Sequence, residues 1–142
     1  RTSNPGSADF QSRSLEGAPL YARVAEAMAP MAERLKGRNG WSGLMMVTGA
    51  TGPDEARTIR DLAPSSLFLV PGYGAQGASA AEALAGFVQG PGGLEGGVVS
   101  SSRGVNFPDG SGEAGDVEEW KSIISAAIAQ ARADLRGLPI PA

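Results

Sequence analysis

Three short apolar runs divide the chain, at residues 43–49, 67–70 and 97–100. Each run is continuous rather than alternating, which is typical of parallel strands that are covered on both faces. Segments with helical signals lie before, between and after them, so the order is helix, strand, helix, strand, helix, strand, helix. This alternation predicts an α/β fold with a parallel sheet. Residues 104–115 are polar and rich in glycine, and we expect a mobile loop there.

The first and last helices are predicted by apolar stripes. Apolar residues recur at helical spacing over 20–35, where Pro30 is expected to kink the helix, and again over 117–135. Asp116, with Glu119 three residues later, is a capping pair at the start of the last helix. Each of the two segments therefore has one apolar face.

The two inner helices are predicted by their start signals. Pro53 with two acids directly after it predicts a helix that runs to about Leu62, because proline suits the first helical position and acids suit the first turn. Ser79 with Glu82 is a capping box, and we expect the helix that it starts to run through Val88.

A group of charged residues occurs at the start of the second of these four helices. These residues are close enough in the sequence to resemble a catalytic cluster. We interpret the group as the solvated face of the helix. Its members are Asp54, Glu55, Arg57 and Arg60.

The composition narrows the classes of protein. With 142 residues the chain has the length of one domain and can bury a core of ordinary size. Its formal net charge is −3 and it has no cluster of Lys and Arg, so no nucleic-acid partner is expected. No apolar run is long enough to span a membrane and no signal peptide is visible, which predicts no membrane contact and a cytoplasmic location.

The chain contains no histidine and no cysteine. Ser-His-Asp catalysis, Cys-His catalysis and a structural zinc site therefore cannot be formed by these residues alone. Catalysis would have to use carboxylates, Lys, Arg, Tyr or backbone dipoles. No metal site is predicted.

Residues 72–77, GYGAQG, match the G-x-G-x-x-G pattern of a dinucleotide-binding turn, between a predicted strand and a predicted helix. Such a turn also needs an acid about 20 residues further on, at the end of the next strand. The nearest candidate, Glu95, precedes the next strand instead of following it, and Pro71 stiffens the turn just before the first glycine. The dinucleotide interpretation is therefore disfavoured.

Small and polar residues follow each predicted strand, which suggests another kind of phosphate site. In a (β/α)8 barrel the active site lies at the carboxyl ends of the strands, and the last two loops commonly bind phosphate. If the last two strands here are strands seven and eight, Gln76 and Arg103 face one phosphate, and Arg103 supplies a bidentate, permanently charged contact. The alternatives are that Arg103 is an ordinary surface residue, that 100–102 is a simple strand end, and that Tyr73 is a packed aromatic.

Four segments, in order, resemble orotidine 5'-phosphate decarboxylase, in particular the C-terminal half of the longer bacterial subfamily. They extend over nearly the whole chain, so the resemblance is specific. The segments are RTSNPGS at 1–7, VTGAT at 47–51 with PDE at 53–55 and IR at 59–60, FLVPGYGAQG at 68–77, and SSRG at 101–104.

The resemblance implies that residues 1–142 form the C-terminal half of a TIM (β/α)8 barrel, with the loop and helix of unit five followed by units six to eight. It also implies how the chain would contact a nucleotide. Ser3 would meet the pyrimidine edge, Pro71 would line the base pocket, Gln76 would bridge base and phosphate, and Arg103 with the backbone N–H of Gly104 would hold the 5'-phosphate. The family uses no metal and no organic cofactor.

The resemblance further implies decarboxylation of orotidine 5'-monophosphate (OMP) to uridine 5'-monophosphate (UMP), a reaction of de novo pyrimidine biosynthesis, by a homodimer of complete barrels. The catalytic Lys and Asp residues of the family come from the N-terminal half, and nothing in this chain matches their motif. We therefore expect the chain to be part of a larger barrel and to be inactive alone. A sugar-phosphate decarboxylase or another phosphate-binding barrel, which would not need Ser3, and a non-catalytic half-barrel remain alternatives.

Overall fold

A computed structural model describes residues 4–74 and 76–136 of the chain. Helices and strands alternate along it, with two short hairpins in addition. In chain order the elements are a 3-10 turn (Pro5–Asp9), β1 (Ser14–Leu15), β2 (Ala18–Pro19), α1 (Leu20–Arg34), β3 (Met45–Val47), α2 (Pro53–Leu62), β4 (Leu67–Pro71), α3 (Ala80–Ala83), β5 (Val88–Gly90), β6 (Gly93–Glu95), β7 (Gly97–Ser100), α4 (Ser102–Asn106) and α5 (Val117–Arg136).

The central sheet has three parallel strands in the order β3-β4-β7. Phe68 of β4 is aligned with Met46 of β3 on one side and with Gly97 of β7 on the other. The two hairpins, β1 with β2 and β5 with β6, are antiparallel and separate from this sheet. The predicted α/β fold with a parallel sheet is therefore confirmed.

One face of the sheet forms the core. Phe68 and Val70 of β4 are buried there against Ala25 of α1, Ile59 of α2 and Leu84 beyond α3. The helices thus cover this face, as parallel strands require.

The opposite face of the sheet is largely uncovered. Val47, Leu69 and Val98 are aligned across the three strands, and Val47 is 55% exposed and Val98 53% exposed. Met45, two residues before Val47 and so on the same face, is 45% exposed. In a closed barrel, bulky apolar side chains on this face would fill the interior.

Three helices agree with their sequence signals. α1 continues through Pro30 to Arg34, and the kink expected at Pro30 stays a prediction. α2 has Pro53 in its first turn and ends at Leu62. At the start of α5, the Asp116 carboxylate accepts the N–H of Glu119 at 2.8 Å. None of the helices in the described residues is long and apolar enough to cross a membrane.

The helix predicted from Ser79 through Val88 is wrong in its length. Its capping box is present, but α3 ends at Ala83, and Val88 begins β5. A Cβ at Gly86 would lie 2.7 Å from the ring of Phe68, so the chain passes the sheet there too closely for a regular helix of larger residues. The cap determined where the helix starts, and the chain has left the helix before it passes Phe68 at Gly86.

The loop predicted over 104–115 is also partly wrong. α4 occupies Ser102–Asn106 and so extends into it, while the remainder, 107–115, consists of turns and bends. A short helix after β7 matters for function because it places Arg103 and Gly104 next to the end of the sheet.

Candidate functional site

The candidate site lies where the parallel strands end. Pro71, the last residue of β4, is aligned with Ser100, the last residue of β7. The carbonyl of Pro71 accepts the N–H of Ala50 at 2.8 Å, which brings in the segment after β3. The carboxyl ends of all three strands therefore meet at one edge of the sheet.

A cavity of about 100 Å³ occupies this edge. Pockets for whole drug-sized ligands usually have about 300–1,000 Å³, so this cavity has room for one small group rather than a whole nucleotide. Most of the side chains around it are polar. Its lining residues are Pro71, Gly72, Tyr73, Gln76, Ser100, Ser101, Ser102 and Arg103.

Three of the five predicted substrate contacts, Pro71, Gln76 and Arg103, thus lie around one cavity. Gly104 is adjacent, in the first turn of α4, where backbone N–H groups have no carbonyl partner in a preceding turn. Ser3, the fifth, lies outside the described residues. The binding roles of all five stay predictions.

The glycines of the G-x-G-x-x-G pattern are explained by backbone conformation. Gly72, Gly74 and Gly77 have φ angles of +105°, +70° and +88°, which residues with a Cβ rarely adopt. The N–H of Gly77 donates to the carbonyl of Gly74 at 2.7 Å, which closes a tight turn. A Cβ at Gly72 would lie 3.2 Å from Oε1 of Gln76, so this glycine also makes room for a residue of the cavity.

Arg103 is the cation of the cavity. Its side chain is exposed, and within residues 4–74 and 76–136 its guanidinium has no hydrogen bond or ion pair. All five of its N–H donors therefore remain available, in a planar arrangement that matches carboxylate and phosphate oxygens.

Arg60 contradicts the interpretation of the charged group on α2. It is only 6% exposed, whereas Asp54 and Arg57 are exposed and form an ion pair with each other at 2.7 Å. The guanidinium of Arg60 donates to four backbone carbonyls instead. The acceptors are Gly86 at 2.8 Å, Pro64 at 3.0 Å, Ser66 at 2.6 Å and Gly96 at 2.8 Å.

Two aromatic rings enclose the same guanidinium. Its central carbon lies 3.9 Å from the centre of the Phe68 ring and 5.1 Å from that of Trp41. Burial lowers the pKa of Arg60 to about 10, which still leaves the side chain cationic at neutral pH. Arg60 therefore joins elements of the core and does not form a solvated face. The sequence spacing could not reveal this, because a side chain this long can bend toward the core from the edge of a helix.

Tyr73 combines packing with a polar contact. Its ring is half-buried against the core, as the packed-aromatic alternative predicts, and its hydroxyl donates to Asp134 of α5 at 3.0 Å. Burial, with a further contribution from Asp134, raises the pKa of the phenol. No sequence signal connects these two residues, which are 61 positions apart.

Two larger cavities border the outer strands of the sheet. One, of about 450 Å³, lies between α1 and β3 and is lined by side chains that include Val24, Met28 and Met46. The other, of about 730 Å³, includes Val99 of β7 and Leu135 of α5. Neither is lined by the predicted site residues, so both lie away from the candidate site.

No group of three or more Asp and Glu side chains that could hold a metal ion occurs in the described ranges 4–74 and 76–136.

The fold and the site together define a class. Parallel strands alternate with helices, one sheet face is uncovered, and a small polar cavity opens at the carboxyl ends of the strands. These are the features of part of a (β/α)8 barrel with its site at the mouth.

Comparison with known proteins shows which proteins the chain resembles. The chain is 34% identical over 140 residues to an orotidine 5'-phosphate decarboxylase of Rhodopirellula baltica, a match that covers 96% of this chain and 45% of that protein. The UMP synthase of Leishmania donovani is similar in structure, with a TM-score of 0.60, 32% identity, and coverage of 95% of this chain and 26% of that one. The OMP decarboxylase of L. donovani has a TM-score of 0.55 and 28% identity, with 98% and 46% covered.

The resemblance to orotidine 5'-phosphate decarboxylase, inferred from the sequence, is therefore confirmed. No protein-family model matches the chain. The chain spans less than half the length of the curated relatives that it matches.

Proposed function

We propose that the chain is the portion of an orotidine 5'-phosphate decarboxylase barrel that binds the 5'-phosphate and one side of the base. The observation that carries this proposal is the cavity between the ends of β4 and β7, which Pro71, Gln76 and Arg103 share. The similarity of the chain to decarboxylases of this family indicates the reaction, which converts OMP to UMP.

The chemistry of the cavity suits a phosphate dianion. Arg103 offers an exposed guanidinium that is unpaired among the described residues, and such a group can contact two phosphate oxygens at once. The N–H of Gly104 lies in the first turn of α4, where partial positive charge favours anions. Because the cavity has only about 100 Å³, the sugar and base would extend beyond it, past Pro71 toward the uncovered face of the sheet.

The rest of the barrel would cover that face. Exposed Val47 and Val98 would point into its interior, and the two larger cavities beside β3 and β7 would receive its neighbouring strands and helices. On this proposal the chain supplies the loop and helix of unit five and then units six to eight, and the missing portion supplies the catalytic Lys and Asp. The homodimer and the cytoplasmic location stay predictions from the sequence.

In the proposed reaction the bond between C6 and the carboxylate breaks, CO2 leaves, and the electron pair stays at C6. A proton from the ammonium group of the catalytic Lys then forms the new C6–H bond. The residues of this chain do not touch the reacting carbon. They bind the remote phosphate, and such binding energy can be used to close the site and raise turnover.

Replacement of Arg103 tests the proposal. In the complete barrel, Arg103→Ala should lower kcat/KM for OMP by roughly ten- to a few-hundred-fold, because a hydrogen bond to a charged group contributes about 1.5–3 kcal/mol. Activity toward orotidine, which lacks the phosphate, should change little. Arg132→Ala, at an exposed arginine of α5, is the matched control and should leave both activities unchanged.

Three results would contradict the proposal in different ways. An equal loss of activity toward orotidine would show that Arg103 does not contact the phosphate. If the complete barrel formed no UMP, the non-catalytic half-barrel would be the favoured alternative. Turnover of a sugar phosphate, unchanged by Ser3→Ala, would favour the sugar-phosphate alternative, since Ser3 is expected to contact the pyrimidine.

A further inference from the structure

The loop between β4 and α3, which the structure describes over 72–74 and 76–78 and which is called loop 72–78 below, carries Gln76, one wall of the small cavity. Within the turn, the N–H of Gly74 donates to the carbonyl of Ala78 at 2.9 Å, and Gly77 donates to Gly74. These bonds give the turn its shape, but they do not connect it to another helix. Its position above the sheet therefore depends on contacts from outside the loop.

Tyr73 makes such a contact. Its ring packs against the core, and its hydroxyl donates to Oδ2 of Asp134, near the end of α5. The second oxygen of this carboxylate, Oδ1, accepts the side-chain N–H of Gln130 at 2.7 Å. Since Gln130 and Asp134 lie one turn apart on α5, the carboxylate is held in place by its own helix.

The helix that bears the carboxylate is itself attached to the core. Leu135, the residue after Asp134, packs against the core cluster that also contacts Tyr73. A phenol can reach this carboxylate only while the loop lies close to α5, so the hydrogen bond and the loop position are coupled.

We propose that Asp134 is a positioning residue for the anion site: by accepting the Tyr73 hydroxyl, it holds loop 72–78 in the conformation that places Gln76 at the cavity. This role rests on the proposed function for its effect on the substrate. It assigns to α5 a part in the site although this helix contributes no residue to the cavity lining.

A double-mutant cycle in the complete barrel tests the role. Tyr73→Phe keeps the ring and removes the donor, and Asp134→Ala removes the carboxylate that accepts it. Each should raise KM for OMP about three- to tenfold with kcat changed less than about twofold, the size expected for an ordinary hydrogen bond that acts on the substrate through another residue. The double variant should resemble either single variant, because both remove the same bond.

Glu118→Gln is the matched control, since this exposed carboxylate on α5 pairs with Lys121 at 2.8 Å and lies at the other end of the helix. It should leave KM unchanged. Multiplicative effects of the two single variants, or an equal increase of KM for unphosphorylated orotidine, would overturn the positioning role.

Hydrogen exchange of the same barrels separates this role from the proposed function. Amide exchange in 72–78 should be faster in both variants than in the parent and unchanged in Glu118→Gln. Faster exchange in a barrel that forms no UMP would refute the proposed function and leave the Asp134 contact standing. Unchanged exchange in both variants would refute the contact, whatever the kinetics show.

Discussion

Two arginines lie at opposite ends of the sheet, and they illustrate two uses of one side chain. Arg60 lies at the amino ends of the strands, where it donates to carbonyls just before β4 and β7, at Ser66 and Gly96. Arg103 follows the carboxyl end of β7 and is exposed beside the cavity. The first guanidinium is saturated by the chain itself, and the second is available to a ligand.

The direction of the helices explains this difference. In a parallel α/β unit, helices begin at the carboxyl ends of the strands and end at the amino ends. Helix starts carry partial positive charge and helix ends carry partial negative charge and free carbonyls. Arg60, in the last turn of α2, lies beside loop carbonyls at the amino ends of the strands and donates to four of them, whereas Arg103 lies in the first turn of α4.

The largest effect should come from removal of Arg60. Arg60→Ala should destabilise the complete barrel by about 3–5 kcal/mol, because it leaves buried carbonyls without a donor and opens a cavity between two rings. Arg57→Ala, on the exposed face of the same helix, should change stability by about 0.5 kcal/mol or less, and so should Arg103→Ala. Urea denaturation provides the measurement. Similar losses of stability in Arg60→Ala and Arg103→Ala would contradict the proposed difference between the two ends of the sheet.

A smaller effect is expected from a substitution that strains the backbone at the carboxyl ends of the strands. Gly72→Ala should cost about 1–3 kcal/mol, because φ is +105° and the new Cβ would approach Gln76. On the proposed function it should also weaken binding of UMP by the complete barrel. Gly110→Ala is the control: φ there is +81°, yet nothing lies within 4 Å of a Cβ. Titration calorimetry with UMP should find the control unchanged, and equal weakening in both variants would exclude a specific role of the Gly72–Gln76 approach.

The smallest effect concerns the ionisation of Tyr73. Burial and the Asp134 charge raise its pKa, so its contribution to stability is present below the ordinary tyrosine value of about 10 and is lost as the pH rises through the higher folded value. Asp134→Asn should lower this pKa by removing the negative charge. Ultraviolet titration, with Tyr73→Phe to assign the signal, measures it. An unchanged pKa would show that the carboxylate does not influence the phenol in solution.

Local signals predicted much of the fold correctly. Pro53 marked the start of α2, Asp116 the cap of α5, and the continuous apolar runs the three parallel strands. Each of these signals acts within a few residues along the chain. The path of the chain after α3 was not predictable in this way, because Gly86 lies close to Phe68 of β4, which is distant in the sequence.

The site shows the same division. The polar residues at the ends of β4 and β7 were predictable because carboxyl ends of neighbouring parallel strands must meet at one edge. The Tyr73–Asp134 bond was not, since it joins residues 61 positions apart.

The sequence by itself determined the three parallel strands, the starts of four helices and the family resemblance, because spacing and caps are local properties. Only the tertiary structure decided that Arg60 is buried, that the third helix ends at Ala83 and a hairpin begins at Val88, and that α5 contacts the loop of the cavity. These outcomes depend on which surfaces meet across the sheet, and a long cation or a phenol takes its role from the partners that it finds there.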